Sequence, residues 1–183
     1  MATSGTTSFN LSIEEIIQEA YERCGMTTTS GHSLKSARTS LNLLFAEWAN
    51  RGIHLWKVAL HENALVSGQA EYSVSAGVSD VLEAFVSSTA AASNNANTQD
   101  VSLTKIDRSA YAALPNKLAT GQPSQYYVER ETTPKIYLYQ APDLNTYTTL
   151  KYYVIKRIED AGAYTNDADV VFRFLPCMVA GLA

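Results

Sequence analysis

The chain has 183 residues, a formal net charge of -4 and 17% charged residues, against about 25% in an average globular chain. This composition excludes a protein that grips nucleic acid through clustered cations, because such binding needs runs of Lys and Arg. The sequence shows neither a signal peptide nor the roughly 18 consecutive apolar residues of a membrane span, so we expect a soluble protein without an export signal. Cys24 and Cys177 are too few for a disulfide framework, and we expect reduced thiols that pack as small hydrophobes in the cytosol.

Two amphipathic helices are predicted near the N-terminus. Ser12 and Glu15 have the spacing of a capping box, and apolar residues recur with a helical period over residues 12–24. A second helix is predicted to begin at a Ser33 cap and to end at Gly52. A short loop between two such helices favours an antiparallel hairpin, which leaves an apolar stripe to be covered.

A third helix is predicted at the C-terminal end of the sequence. Asp167 or Asp169 can cap a segment that runs to Leu182 and is apolar nearly all round, which is typical of a buried helix. Pro176 is expected to kink or restart it. This segment is our candidate for covering the apolar stripe.

The hydrophobic period changes to two between the helical ends. Alternating apolar and polar residues, bounded by turn signals, predict strands at residues 56–60, 70–74, 81–86, 101–106, 125–130, 135–140 and 146–158. Residues 87–100 are rich in Ala, Asn, Ser and Thr, and this composition predicts a mobile loop. Asp107 is predicted to cap a short helix.

The sequence carries no recognisable catalytic or metal-binding pattern. His32, His54 and His61 lack the spacing of a zinc site, and the glycines form no dinucleotide or phosphate loop. Adjacent carboxylates fall at predicted helix starts and turns, where capping explains them. We therefore predict no catalytic residue, no bound metal and no cofactor.

The 11 tyrosines leave one alternative open. Aromatic side chains on strands can line a carbohydrate-binding platform, although strand propensity also enriches tyrosine in sheets.

These patterns predict an α+β fold in which N- and C-terminal helices form an antiparallel bundle with a large antiparallel β-rich insertion. The predicted domains are a flexible leader at 1–11, a helical domain at 12–52 plus 165–183, and a β-rich domain at 53–164 with its mobile loop at 87–100.

Four segments, in this order, carry a resemblance to a known family. They are LNLLFAEWANRGI at 41–53, IDRSAY at 106–111, GQPSQYYVER at 121–130 and DVVFRFLPCMVAGLA at 169–183. The first resembles a helix that ends in Trp and is followed by Arg-Gly before the first strand. Together the segments resemble the head-to-tail adaptors, also described as portal-binding, packaged-DNA stabilisation or tail tubular-like proteins, of short-tailed bacteriophages. Members of that family usually continue beyond the point that corresponds to Ala183, so we expect either a truncated C-terminus or a different terminal segment.

The resemblance implies a structural virion protein rather than an enzyme. It implies a ring of twelve copies in the virion neck, assembled in the host cytoplasm, docked under the portal protein and joined to the tail nozzle or tail tube protein. Such a ring extends the DNA channel and retains packaged DNA, and we expect DNA to pass its acidic lumen without specific binding. No membrane takes part. The alternatives are another phage neck or tail-completion protein and a carbohydrate-binding β module.

Two sets of residues are predicted to make contacts in this assembly. Subunit or portal contacts are assigned to the exposed faces of the first two helices, through Glu19, Arg23, Arg38 and Arg51. A tail-facing loop is assigned to Ser87, Asn94, Asn95 and Asp100.

Overall fold

The chain is a mixed α+β protein in a computed structural model that describes residues 5–6, 9–26, 31–53, 55–88 and 99–183. These residues form four α-helices and ten β-strands. The chain divides into two compact units, a helical unit of Met1–Trp56 with Ile158–Ala183 and a β-rich unit of Lys57–Arg157. No helix in the described part of the chain combines the length and the apolarity needed to cross a membrane.

Three of the four helices belong to the helical unit. The helices are α1 (Ile13–Arg23), α2 (Gly31–Asn50), α3 (Arg108–Ala113) and α4 (Leu175–Leu182), and short 3-10 turns lie at Leu55–Lys57 and Phe172–Phe174. The apolar faces of α1, α2 and α4 share one core with residues that precede α4. Its buried members are Ile13, Ile16, Ile17, Ala20, Ala37, Leu41, Phe45, Trp48, Ile158, Ala161, Ala168, Leu175, Met178 and Val179.

The predicted capping box at the start of α1 is confirmed. The Ser12 N–H donates to Glu15 Oε2 at 2.8 Å, and the Glu15 N–H donates to Ser12 Oγ at 3.3 Å. The predicted start of α2 at a Ser33 cap is wrong, since this helix already includes Gly31. The Ser33 carbonyl instead accepts a hydrogen bond from the Tyr21 hydroxyl at 3.2 Å.

The predicted cap of the C-terminal helix is also wrong. The Asp169 side chain accepts from the Glu159 N–H at 3.0 Å, and α4 begins only at Leu175. Pro176 occupies the first turn of α4, where a missing N–H costs no intrahelical hydrogen bond. The prediction that both cysteines pack as small hydrophobes is wrong as well, because Cys24 and Cys177 are exposed.

The β-rich unit contains all ten strands. They are β1 (Val58–Ala64), β2 (Glu71–Ser73), β3 (Val78–Ser87), β4 (Asp100–Ser102), β5 (Thr104–Ile106), β6 (Thr120–Gly121), β7 (Gln125–Glu129), β8 (Lys135–Tyr139), β9 (Ala141–Pro142) and β10 (Thr149–Lys156). A first sheet has the order β1-β10-β3-β4 and is antiparallel, a second has the order β2-β8-β7-β5, and β6 pairs with β9. In the second sheet β5 runs parallel to β7, whereas β7 and β8 form the predicted antiparallel hairpin.

The first and second sheets contribute to a single apolar core. Among its buried members are Tyr72, Val81, Ala84, Val86, Leu103, Tyr126, Val128, Ile136, Leu138, Leu150, Tyr152 and Val154. The single strand predicted at 101–106 is in fact two strands in different sheets, since β4 pairs with β3 and β5 pairs with β7. The two strands are separated by the buried Leu103, whose N–H donates to the Ala84 carbonyl at 2.9 Å. Asp107 caps α3 as predicted, since its Oδ1 accepts from the Ala110 N–H at 2.7 Å.

Candidate functional site

A groove of about 480 Å³ opens on the helical unit beside α1 and α4. Apolar residues from three segments form one part of its lining, and polar or charged residues of α1 form the other. The lining residues are Phe9, Leu11, Glu15, Gln18, Glu19, Glu22, Arg23, Phe172, Leu175, Pro176 and Val179.

Two exposed aromatic side chains extend the apolar part of the groove. Phe9 and Phe172 are each 64% exposed, and their rings meet edge to face with centroids 6.1 Å apart. Leu175 and Val179 continue this lining into the core of the unit. Exposed aromatic rings next to an apolar depression are typical of a surface that binds another protein.

The α1 wall of the groove is acidic. It contributes three glutamates, Glu15, Glu19 and Glu22, against one cation, Arg23. The hydrogen bonds from the Ser12 backbone and side chain hold the pKa of Glu15 below its usual value, so that its carboxylate remains ionised near neutral pH. Two contacts between side chains one turn apart on α1 fix the positions of Glu19 and Glu22. Arg23 pairs with Glu19 at 3.0 Å, and Gln18 donates to Glu22 at 3.0 Å.

The structure brings only two of the four predicted interface residues to this groove. Glu19 and Arg23 line it, whereas Arg38 and Arg51 do not. Arg38 Nη1 donates to the Gly162 carbonyl at 3.3 Å, and its guanidinium lies 5.3 Å from the centre of the Tyr164 ring. Arg38 therefore makes contacts within its own unit.

A second surface of the helical unit lies on α2. Lys35, Thr39, Leu43 and Ala46 are exposed and follow one another at helical spacing. Leu43 is 67% exposed, which is high for a leucine among small and polar neighbours. Arg51, just beyond α2, forms an ion pair with Glu47.

The predicted tail-facing loop is shorter than expected at both ends. Ser87 is the buried last residue of β3 and Asp100 is the first residue of β4, while Asn94 and Asn95 lie outside the described residues. The reason is that Ser87 and Asp100 are direct partners in the β3–β4 pairing. Asp100 Oδ1 also lies 3.6 Å from Nζ of Lys151, a β10 residue that is only 6% exposed. Lys151 is therefore a buried residue of the first sheet.

Some of the tyrosines lie in the core of the β-rich unit, and three others form a patch on its surface. Tyr126, Tyr147 and Tyr152 are buried in the core of the β-rich unit. Tyr111, Tyr127 and Tyr137 stack on one another, with ring centroids between 5.4 and 6.0 Å apart. Partial burial and a hydrogen bond to Glu129 raise the pKa of Tyr137, whose hydroxyl donates to Glu129 Oε2 at 3.0 Å. Each of the three side chains is partly exposed, so the rings form one aromatic patch on the surface.

The remaining titratable groups form no converging set in the described residues. His61 Nδ1 lies 3.2 Å from Ser75 Oγ, and burial, followed by the charge of Lys156, lowers the pKa of this histidine. No group of three His, Cys, Asp or Glu residues within the described ranges is placed to hold a metal ion. The geometry of the groove thus suits recognition of another molecule by apolar and charged contacts.

Sequence reasoning missed the two aromatic residues of the groove. Phe9 falls in the predicted flexible leader and Phe172 in the predicted buried helix, yet both are exposed and in contact. One feature of the sequence could have indicated the groove, namely Phe9, a large apolar residue in an otherwise small and polar segment.

Comparison of the sequence with protein-family models and with curated proteins found no match.

Proposed function

We propose that this chain is the head-to-tail adaptor of a tailed bacteriophage, a structural protein that forms a ring under the portal and carries the tail. In this proposal the helical unit is a bundle into which the β-rich unit is inserted. The observation that carries the proposal is the presence of two unlike exposed surfaces on the helical unit, the acidic groove and the α2 face around Leu43. A ring needs two such faces on each subunit, because every copy binds its two neighbours through different patches.

The β-rich unit supplies a further surface for the tail. Val58, Leu60 and Tyr153 lie on the two neighbouring strands β1 and β10 and are between 38% and 42% exposed. Exposed apolar side chains on adjacent strands favour contact with another protein. This surface is our candidate for the tail nozzle or tail tube contact.

The negative net charge of the chain is consistent with a ring through which DNA passes. A subunit with a formal net charge of -4 repels phosphates, so that a duplex slides through a ring of such subunits without being held. Tight, salt-sensitive binding of duplex DNA to the assembled ring would contradict this part of the proposal.

The experiment that tests the function is cryo-electron microscopy of the neck of the source particle, averaged about the tail axis. We expect the chain to trace into a ring of twelve copies in contact with the portal. Density for this chain elsewhere in the neck would instead support a head-closure or tail-completion protein. Its absence from the particle would refute a role in the virion.

The stacked patch of Tyr111, Tyr127 and Tyr137 favours one other function, a carbohydrate-binding module. A glycan array with the full chain separates the two proposals. Glycan binding that is lost in a Tyr127→Ala variant would support the carbohydrate-binding module. An array on which the chain binds no glycan would refute that function.

A further inference from the structure

We propose that the acidic groove of one copy receives the outer face of α2 from the next copy, with Leu43 placed against Phe9 and Phe172. This inference rests on the proposed function and deepens it, because it names the surfaces that build the ring. The groove is lined by α1, α4 and their neighbouring segments and by no residue of α2. The two surfaces are therefore separate and available at the same time on each copy.

The first argument is charge complementarity. Helix α1 carries four glutamates and one arginine, and three of these glutamates line the groove. On the α2 surface around Leu43, Lys35 and Arg51 are two exposed cations against one exposed anion, Glu47, which pairs with Arg51. Arg38 does not contribute to this surface, because it contacts Gly162 and Tyr164 of its own unit. Surfaces of opposite sign attract during encounter and disfavour the contact of two like surfaces. The acidic α1 wall therefore favours α2 over a second α1.

The second argument is the match of apolar groups. Leu43 projects from a helix face whose exposed neighbours one turn away are Thr39, Ser40, Ala46 and Glu47, and of these only Glu47 is long. Short flanking side chains let an α-helix approach a neighbouring surface closely. The groove offers two exposed aromatic rings and a volume of about 480 Å³, enough for a leucine side chain and the ends of its neighbours. Burying Leu43 there also covers Phe9 and Phe172.

The third argument is the symmetry of the contact. Because the groove and the Leu43 face are different patches, the contact is heterologous, and each copy both offers a groove and fills one. A contact of this kind generates a closed ring when the rotation between copies closes. Where the rotation does not close, the same contact builds an open filament.

Disulfide trapping tests the contact directly. In a Cys24→Ser, Cys177→Ser background of the full chain, Leu43→Cys and Phe172→Cys are introduced singly and together. On oxidation at the highest soluble concentration, we expect the double variant to give a ladder of covalent oligomers. We also expect a mixture of the two single variants to give dimers, and each single variant alone to stay monomeric. A double variant that stays monomeric, or single variants that link equally well, would overturn the proposal.

A charge exchange tests the electrostatic part of the contact. Glu22→Lys places a cation in the groove wall, and we expect at least a tenfold loss of self-association by analytical ultracentrifugation, as about 1.4 kcal/mol of lost attraction produces. Adding Lys35→Glu is expected to restore most of that affinity. Glu14→Lys, which makes the same charge change on α1 outside the groove, is the matched control. Equal losses at Glu14 and Glu22, or no recovery in the double variant, would contradict the inference.

The two proposals fail in distinguishable ways. A ring under the portal without the Leu43–Phe172 cross-link would keep the adaptor function and refute this interface. A covalent ladder from a chain that is absent from the virion neck would keep the interface and refute the adaptor function.

Discussion

Replacing Asp80 by Asn removes the charge that ties the two sheets of the β-rich unit to each other. Asp80 lies on β3 of the first sheet, and it accepts hydrogen bonds from Arg130, just after β7 of the second sheet, at 2.8 and 3.2 Å. Nζ of Lys105, on β5 of the second sheet, lies 3.6 Å from Asp80 Oδ1. One carboxylate therefore serves two cations of the opposite sheet.

The size of the effect follows from these contacts. Hydrogen bonds to charged groups contribute about 1.5–3 kcal/mol when shielded, and the exposure of Arg130 reduces this. The Val81 N–H, which donates to Asp80 Oδ1 at 2.8 Å, keeps an acceptor in the Asn variant. We expect Asp80→Asn to lower the free energy of unfolding of the β-rich unit by about 2 kcal/mol near neutral pH.

The effect has a defined pH dependence. Burial raises the pKa of Asp80, but the hydrogen bonds from Arg130 and the charge of Lys105 outweigh it, so that the pKa in the folded state lies below the usual value. A carboxyl group with a lowered pKa stabilises the fold above its unfolded-state pKa, and this contribution disappears as the pH falls through its folded-state pKa. The difference between the wild-type chain and Asp80→Asn should therefore be full at neutral pH and vanish in strong acid.

The stability difference between the wild-type chain and Asp80→Asn is measured at neutral pH and in strong acid. The method is urea unfolding of the full chain, followed by hydrogen exchange of the strand amides in the β-rich unit. Asp160→Asn is the matched control, since Asp160 is exposed and the described residues supply it with no hydrogen bond or ion pair. An Asp80→Asn effect no larger than that of the control at neutral pH, or one that persists unchanged in acid, would refute the reasoning.

Three further predictions concern local contacts. Ser12→Ala removes the side-chain cap of α1 and should destabilise that helix by about 1 kcal/mol, seen as faster hydrogen exchange in its first turn, whereas Ser40→Ala on the exposed face of α2 should not. Asp100→Asn leaves the buried ammonium of Lys151 without its ion-pair partner and should lower the free energy of unfolding, measured in urea, by about 1–3 kcal/mol. A second change, Lys151→Met, should restore part of this loss. Tyr126→Phe removes the hydroxyl that donates to the Leu82 carbonyl at 3.1 Å and should lower the free energy of unfolding by about 1 kcal/mol. Burial raises the pKa of Tyr126 to about 12, so a spectrophotometric titration of the variant should lack one phenol that ionises in this range.

Each of these predictions has an outcome that contradicts it. Equal exchange rates in the Ser12 and Ser40 variants would show that the cap contributes nothing. A Lys151→Met change that worsens the Asp100→Asn variant would show that packing, not the unpaired charge, sets the cost. An unchanged alkaline titration after Tyr126→Phe would mean that Tyr126 does not titrate with a pKa of about 12.

The elements that could be predicted from sequence are those determined by neighbouring residues. The Ser12–Glu15 box and the Asp107 cap depend on backbone groups three residues away, and both are present. In β7 and β8 the alternation of side chains along the sequence likewise predicts which of them point into the core and which point outward.

The errors concern contacts between distant residues. The strand predicted at 101–106 splits because its halves pair with β3 and β7, and an alternating pattern does not say which sheet a strand joins. The ion pair of Lys151 could not be predicted, because its partner, Asp100, lies far away along the chain. The groove was missed for the same reason, since it depends on Phe9 meeting Phe172.

The division of the helical unit between two stretches of chain sets an order for its synthesis. The first turn of α1 is anchored by hydrogen bonds from Ile13 to Asn166 and from Glu14 to Tyr164, and its core needs Met178 and Val179. A ribosome therefore releases all of Lys57–Arg157, which has its own core, before the helices that emerged first can complete theirs. Until then the apolar faces of α1 and α2 remain open to chaperones and to other nascent chains. The groove beside α1 and α4 can consequently be completed only after residues 175–182 have been translated.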